Sequence, residues 1–287
     1  MSGLLPARFL RDSLRPAAGE SIADTVHRLG AVQMDPVQVV APAHLWTISL
    51  RRGPTSSRDL ADALYAGAVL EAFTHARCLV ATADAAALVR QWRHRRARNA
   101  VRVYGVEREA REVLQRIEHE PHLAARNVVT DRRVTGGWDA VDQQTAKPTT
   151  VALDILWAEG RLVVSDRGPE GKRYELLARR HPEIDTLIET LPDDEALWAS
   201  LRHAARSWKV YRPAWASPGF GRGTAEERRR WHAWLLESGE VRQERWGDET
   251  LYIHQSIQDA VDEPDRARIL APLDNVLWSR ARLEKLF

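Results

Sequence analysis

Two polar side chains, two residues apart, interrupt an otherwise apolar stretch, Gly30-Ala31-Val32-Gln33-Met34-Asp35-Pro36-Val37. In a β-strand, residues two apart share a face, so Val32 and Met34 point into a core and Gln33 and Asp35 point away from it. At a rise of ~3.3 Å per residue their Cβ atoms stand roughly 6.5–7 Å apart, and Pro36 ends the strand. A carboxylate can take a proton from water, while a carboxamide can orient that water through one donor and one acceptor. The same anion can stabilise an oxocarbenium ion developing at a sugar. No second carboxylate follows nearby to act as general acid, so the chemistry suits a leaving group that needs no protonation. A base alkylated at a ring nitrogen is such a group: it is cationic when bound and departs neutral. Asp35 also has a structural reading. Asp is a preferred N-cap and Pro suits the first helical position, so Asp35 could cap a helix opened by Pro36. Capping leaves Gln33 unexplained.

The elements that hold this pair can be parsed from the pattern around it. Ile22, Val26 and Leu29 recur at three- and four-residue steps, which predicts a helix over 21–29 closed by Gly30. Residues 31–35 form the short strand. A mostly helical apolar stretch follows to Arg52, broken near Pro42, and then a helix with Ser56 or Ser57 as its cap and Gly67 as its stop. Strands over 69–73 and 77–82 flank the turn Thr74-His75-Ala76. Helix, short strand, helix, helix, strand, turn, strand is the order of a winged helix. Its end then recurs: LADALYAGAVLEAFTHARCLVAT, ALDILWAEGRLVVSDRGPEGKRYEL and RRWHAWLLESGEVRQERWGDETLYIH each run amphipathic helix, glycine, strand, polar turn, strand. The expected fold is α+β and mainly helical, with three tandem winged-helix units forming a curved DNA-binding body. Unit one spans 1–83, a basic helical connector 84–125, unit two 126–181, and unit three with a C-terminal segment 182–287. The alternative is that the helices bind protein partners or only each other.

Charge and composition narrow the classes. The 287 residues carry a net charge of only +2, but almost all of the 42 basic residues are arginine. Arginine forks pair with phosphates and guanine edges, though coding bias would also enrich them. The densest basic segment is 90–102, where Arg93 and Arg96 lie in a charge distribution that wraps the helix. That suits a helix along a phosphate backbone, or equally a solvated helix paired with the acidic segment behind it. Arg51 and Arg52, ahead of the third helix, and Lys172 and Arg173, in the second wing, stand where such units meet phosphates. One cysteine excludes an internal disulfide and a cysteine-based zinc site. The histidines form no HExxH and no carboxylate-paired ligand set, so neither a metal nor a cofactor is expected. No apolar run approaches the ~20 residues of a membrane span, and the N-terminus is too polar for a signal peptide. A cytoplasmic, nucleoid-associated monomer follows.

These residues resemble a known family. RLGAVQMDPVQVVAPAHLWTISLRRGP with LYAGAVLEAFTHARCLV, then AKPTTVALDILWAEGRLVV, then ILAPLDNVLWSRARLEKLF are similar to three segments of the winged-helix alkylpurine DNA glycosylases of the AlkZ and YcaQ type. The resemblance runs from about residue 5 to residue 287, and Gln33-Met34-Asp35 has the Gln-apolar-Asp form of the YcaQ-like branch. It implies monofunctional hydrolysis of the glycosidic bond of N7- or N3-alkylpurines in double-stranded DNA, and possible unhooking of N7-linked interstrand crosslinks. It implies that Asp35 is the acidic catalytic residue, Gln33 the water-positioning one, and His75 a site-adjacent histidine. For His75 the other reading is a turn histidine bonded to backbone. Of the Trp- and Lys-rich stretch that relatives carry before the second unit, only Trp138 and Lys147 remain, and Lys147 is the DNA-contact candidate there. Relatives also lead one to expect a further segment beyond Phe287. A non-enzymatic winged-helix DNA-binding protein, such as a transcription regulator, is the competing function.

Overall fold

The computed structural model describes residues 5–35, 41–125, 132–136, 139–140, 143–168, 171–213, 223–258 and 267–287. Helix α1 (Leu5–Ser13) precedes α2 (Ile22–Leu29), which is capped by the Ser21 hydroxyl accepting from the Asp24 amide and closed by Gly30 at φ 77°. Gly30 is required on two counts: the left-handed φ, and a Cβ there would collide with the Ser207 side chain. Strand β1 (Val32–Gln33) follows, then α3 (Ala43–Arg52) and α4 (Ser57–Tyr65), whose Ser56 and Asp59 form a reciprocal capping box. The hairpin β2 (Val69–Phe73) and β3 (Arg77–Ala81) completes the first sheet.

Helices α5 (Ala86–Ala97), α6 (Ala100–Val103) and α7 (Glu107–His119) lead to β4 (Leu123–Ala124), α8 (Pro148–Ala158) and the hairpin β5 (Leu162–Gly168) and β6 (Gly171–Leu176). Helices α9 (Leu177–Arg180), α10 (Pro182–Thr190) and α11 (Asp193–Trp208) then lead to β7 (Val210–Tyr211), α12 (Ala225–Glu237), β8 (Val241–Trp246), β9 (Glu249–His254) and α13 (Arg280–Leu286). The three antiparallel sheets share one order, β1-β3-β2, β4-β6-β5 and β7-β9-β8: the short strand pairs with the second strand of its hairpin. The result is a mixed helix-and-sheet fold. No described helix is long and apolar enough to cross a membrane.

The cores cut across the expected boundaries. Val106, Ala110, Val113 and Ile117 pack with Leu123, Leu153, Leu162 and Tyr174, so α7 belongs with the second sheet and not to a connector. Leu88, Val89 and Trp92 of α5 pack beneath the first sheet with Ile184, Ile188 and Ala196. Helix α1 leaves the first unit altogether. Leu5 and Phe9 pack with Val210, Leu251, Ile253, Val276 and Leu286, and Asp12 pairs with buried Lys209. The first and last helices therefore meet on the third sheet. Apolar spacing marks the buried face of a helix but does not say against which sheet it packs.

Arg51 fastens this arrangement, and here the expected phosphate contact gives way. Its guanidinium forks onto Asp274 with two bonds of 2.8 Å and donates to the Ser13 and Thr47 carbonyls at 2.7 and 2.8 Å. Both side chains of the pair are fully buried. Asp274→Ala would leave that guanidinium uncompensated and should cost about 3–5 kcal/mol, read as a lower denaturant midpoint at unchanged slope.

Candidate active site

Strand β1 is an edge strand in which Val32 faces Leu79 and Gln33 faces Cys78 of β3, and the Met34 amide extends the pairing to the Arg77 carbonyl at 2.8 Å. Val32 is buried in the core of α2, α3 and α4, and Met34 packs partly against it. Gln33 takes the opposite face, shared with Cys78 and Ala72. That face is covered by α5 and α10. Gln33 and Asp35 are both half-buried. The helix that Pro36 would open lies on residues 36–40, outside the described residues, and the next described helix, α3, has Pro42 in its cap position. Opposite Gln33, burial pushes the Cys78 thiol up to about 12, so it is no nucleophile at neutral pH.

A second carboxylate lies on the far edge of the sheet, on the face of Val32 and Leu79. Glu71 on β2 is fully buried at its side chain, and both of its oxygens accept from Arg167 of β5, at 2.6 and 2.7 Å. Both oxygens are thus held by one guanidinium fork. The Trp157 indole donates to the Glu71 carbonyl at 2.8 Å, closing the free edge of β2, and Arg77 lies 5.0 Å over that indole. The second unit is thus docked on the first at the edge of the sheet opposite β1. An acidic residue inside the apolar run Val69-Leu70-Glu71-Ala72 was the sequence signal for this contact.

Two histidines flank the strand. His44, in the first turn of α3, is pushed down to about 4 by burial and then by Arg167, opposed by Glu71 and Asp35. His75 is also lowered to about 4, by burial and then by His203. Its Nδ1 lies 3.2 Å from the Thr74 hydroxyl, and its ring meets Trp278 edge-to-face at 4.4 Å. Both rings are neutral at pH 7, and neither is a source of an imidazolium proton.

The remaining expected DNA contacts divide. Arg52 donates to the Glu20 carbonyl at 2.7 Å and the Thr55 hydroxyl at 3.0 Å. Arg93 is bonded to the Ile188 carbonyl at 2.7 Å and Asp193 at 2.6 Å. Arg96 is bonded to the Glu159 and Gly160 carbonyls and to Glu189, each at 3.0 Å. These three tie elements together, and Arg93 and Arg96 pair with the end of α8, with α10 and with the start of α11, not with the acidic segment that follows the basic helix. Lys172 is largely covered, 3.5 Å from Asp154 and 5.4 Å over the Trp157 ring, and burial lowers its pKa. Arg173 is half-buried, 3.8 Å from Asp166. Lys147 is exposed at the start of α8. Trp138 lies outside the described residues. Among the described residues no three His, Cys, Asp or Glu side chains form a cluster fit for a metal ion.

The family model described as DNA glycosylase AlkZ-like matches residues 26–287. The chain belongs to the AlkZ-like DNA glycosylase family. Among solved structures, the DNA glycosylase AlkZ of Streptomyces sahachiroi is similar over 88% of this chain and 69% of its own, with a TM-score of 0.57 and 14% identity. At that identity the likeness carries the fold. The family match spans β1 with Gln33 and Asp35, the Glu71–Arg167 contact and the Asp274 segment.

The neutral histidines have a consequence for stability. His44, His75, His232 and His254 all have folded values of about 4 against 6.5 when free. Between those values the unfolded chain binds the extra protons, so stability rises with pH across that window. The melting temperature should hold above pH 7 and fall as pH drops from about 6.5 toward 4.

Proposed function

We propose that this protein is a monofunctional DNA glycosylase that hydrolyses the N-glycosidic bond of cationic N7- or N3-alkylated purines in duplex DNA. The observation that carries the substrate class is the state of the acids and bases around β1. The charge of Asp35 bears on one neutral histidine, His44, and the oxygens of Glu71, on the far edge of the same sheet, are both held by Arg167. Such a site can accept a proton from water but has none to give a leaving base. An alkylated purine needs none, because its ring charge is neutralised by the departing electron pair. The water oxygen bonds to C1′, the C1′–N bond breaks toward the base, and Asp35 receives the water proton. Until then its charge stabilises the oxocarbenium-like sugar. Gln33 holds the water through its amide.

In this reading the three sheets with their helices are winged-helix units, and Lys147 and Arg173 are the phosphate contacts left from the expected set. Because β1 is an edge strand, a bulky N7-linked crosslink could be hydrolysed without full extrusion into a closed pocket. Purified protein should release 7-methylguanine from duplex DNA and leave an abasic site, and Asp35→Asn should slow single-turnover release roughly 10²–10⁴-fold. Full activity in Asp35→Ala would overturn the assignment. Salt-dependent binding with no base release would point instead to a non-enzymatic regulator.

A further inference from the structure

The basic segment 90–102 is only partly spent inside the molecule. Arg93 and Arg96 turn inward, but Arg95 lies with its guanidinium carbon 4.5 Å over the ring of Phe73. Its Nε is buried and has no hydrogen-bond partner, whereas most buried donors are matched. The acid that bears on Arg95 is Glu159, which already accepts from Arg161 at 3.2 Å. Arg98, about one helical turn on, is exposed and adds its charge to that of Arg95. Asn99, at a left-handed φ of 47°, turns the chain into α6, where Arg102 is exposed beside Tyr104. No acidic residue occurs from His94 to Val106. Phe73 ends β2 and is left 36% exposed, unusual for a large apolar ring. Gln91 of α5 donates to the Thr74 carbonyl at 3.2 Å, so this end of α5 sits against the β2–β3 turn. Phe73 pairs with Arg77, whose carbonyl takes the Met34 amide. Phe73 and Met34 are thus level on the two edges of the sheet, about 10 Å apart at ~4.8 Å per strand. That is less than the ~12 Å width of a major groove, so one duplex is wide enough to meet this patch and the end of β1.

Resting on the duplex-DNA reading above, we propose that Arg95, Arg98 and Arg102 form a surface that binds the DNA backbone, and that Phe73 positions the Arg95 guanidinium for a phosphate. Three cations without an intervening acid attract a polyanion, and duplex DNA carries one negative charge per ~1.7 Å of its axis. A guanidinium resting on an aromatic face has that face covered and its N–H edge left free, and the edge is what matches two phosphate oxygens. Phe73 therefore fixes the donor fork of Arg95 before any ligand arrives, which spares the ordering of a long side chain on binding. Glu159, the acid that bears on Arg95, is already held by Arg161 and competes little with a phosphate. The helix divides its arginines by spacing: 93 and 96 brace the fold, while 95 and 98 face the other way. Such a surface grips the backbone and reads no base, so its contribution is the same for damaged and undamaged duplex.

The test measures binding of the full chain to a labelled undamaged duplex over a range of salt, and base release from a duplex containing 7-methylguanine. Arg95→Ala, Arg98→Ala and Arg102→Ala should each weaken duplex binding roughly 3–10-fold at ~0.1 M salt and lower the slope of log K against log[salt] by about 1. Phe73→Ala should weaken binding as much as Arg95→Ala, and the double variant should be no weaker than either single one. Arg98 and Arg102 are exposed, so their variants test the surface with the fold intact. Unchanged affinity and slope in Arg98→Ala and Arg102→Ala overturn the proposal and mark a patch for a protein partner. Losses that add between Phe73→Ala and Arg95→Ala overturn the positioning role of Phe73. Wild type that binds the duplex with these slopes but releases no 7-methylguanine overturns the glycosylase reading and supports the surface alone. Wild type that binds no duplex overturns both.

Discussion

The structure depends on a short segment near the C-terminus that grips the chain near its beginning. Asp274 buries its carboxylate against Arg51, and its neighbour Asn275 donates to the carbonyls of Leu29 and Ala31 at 3.2 and 2.8 Å. Those carbonyls flank Gly30, the turn that releases α2 into β1. From the other side, Arg282, itself fully buried, donates to the Asn275 and Val276 carbonyls at 2.6 and 2.9 Å and to the Trp208 carbonyl at 2.7 Å. A strand of two residues cannot hold its own direction. Its orientation comes from its pairing with β3 and from this clamp.

A second contact governs the chemistry. Arg167 reaches from the second unit to neutralise Glu71 in the first, and the same guanidinium helps keep His44 uncharged. One residue on a neighbouring hairpin thus holds both oxygens of Glu71 and adds to the burial that lowers the pKa of His44. The docking of the two units and the acid–base state of the site are therefore one design, linked through a single fork of donors.

Much of the local structure was legible. The helix before Gly30 and its stop, a serine cap at Ser56 or Ser57 and the β2–β3 hairpin follow from residue chemistry that acts within a few positions, and the observed bounds agree closely with the expected ones. The alternation that separates Val32 and Met34 from Gln33 was legible for the same reason. What sequence could not give was partnership at long range. Arg51 looks like a surface cation until Asp274 is seen beside it, 223 positions away. Arg93 and Arg96 look like a phosphate track until the carbonyls that end α8 and α10 are found beneath them. Helix α7 reads as a connector because its apolar face is visible in the sequence while its covering sheet is not. The unmatched Nε of Arg95 has no local signal at all, since it is defined by its neighbours.

The clamp on β1 also has a temporal side. Asn275 lies 244 positions after the carbonyl of Ala31 that it holds. At about 5–20 residues per second, a ribosome delivers the clamp on the order of 10–50 s after the strand. During that interval α2, α3, α4 and the hairpin can form their own core, but the strand bearing Gln33 and Asp35 lacks its final restraint, and Arg51 lacks its counter-ion. The nascent chain passes through a stage in which a guanidinium destined for the interior still faces water. The candidate strand comes into register only when the segment bearing Asn275 closes over the turn at Gly30, so a local element waits on one synthesised far behind it.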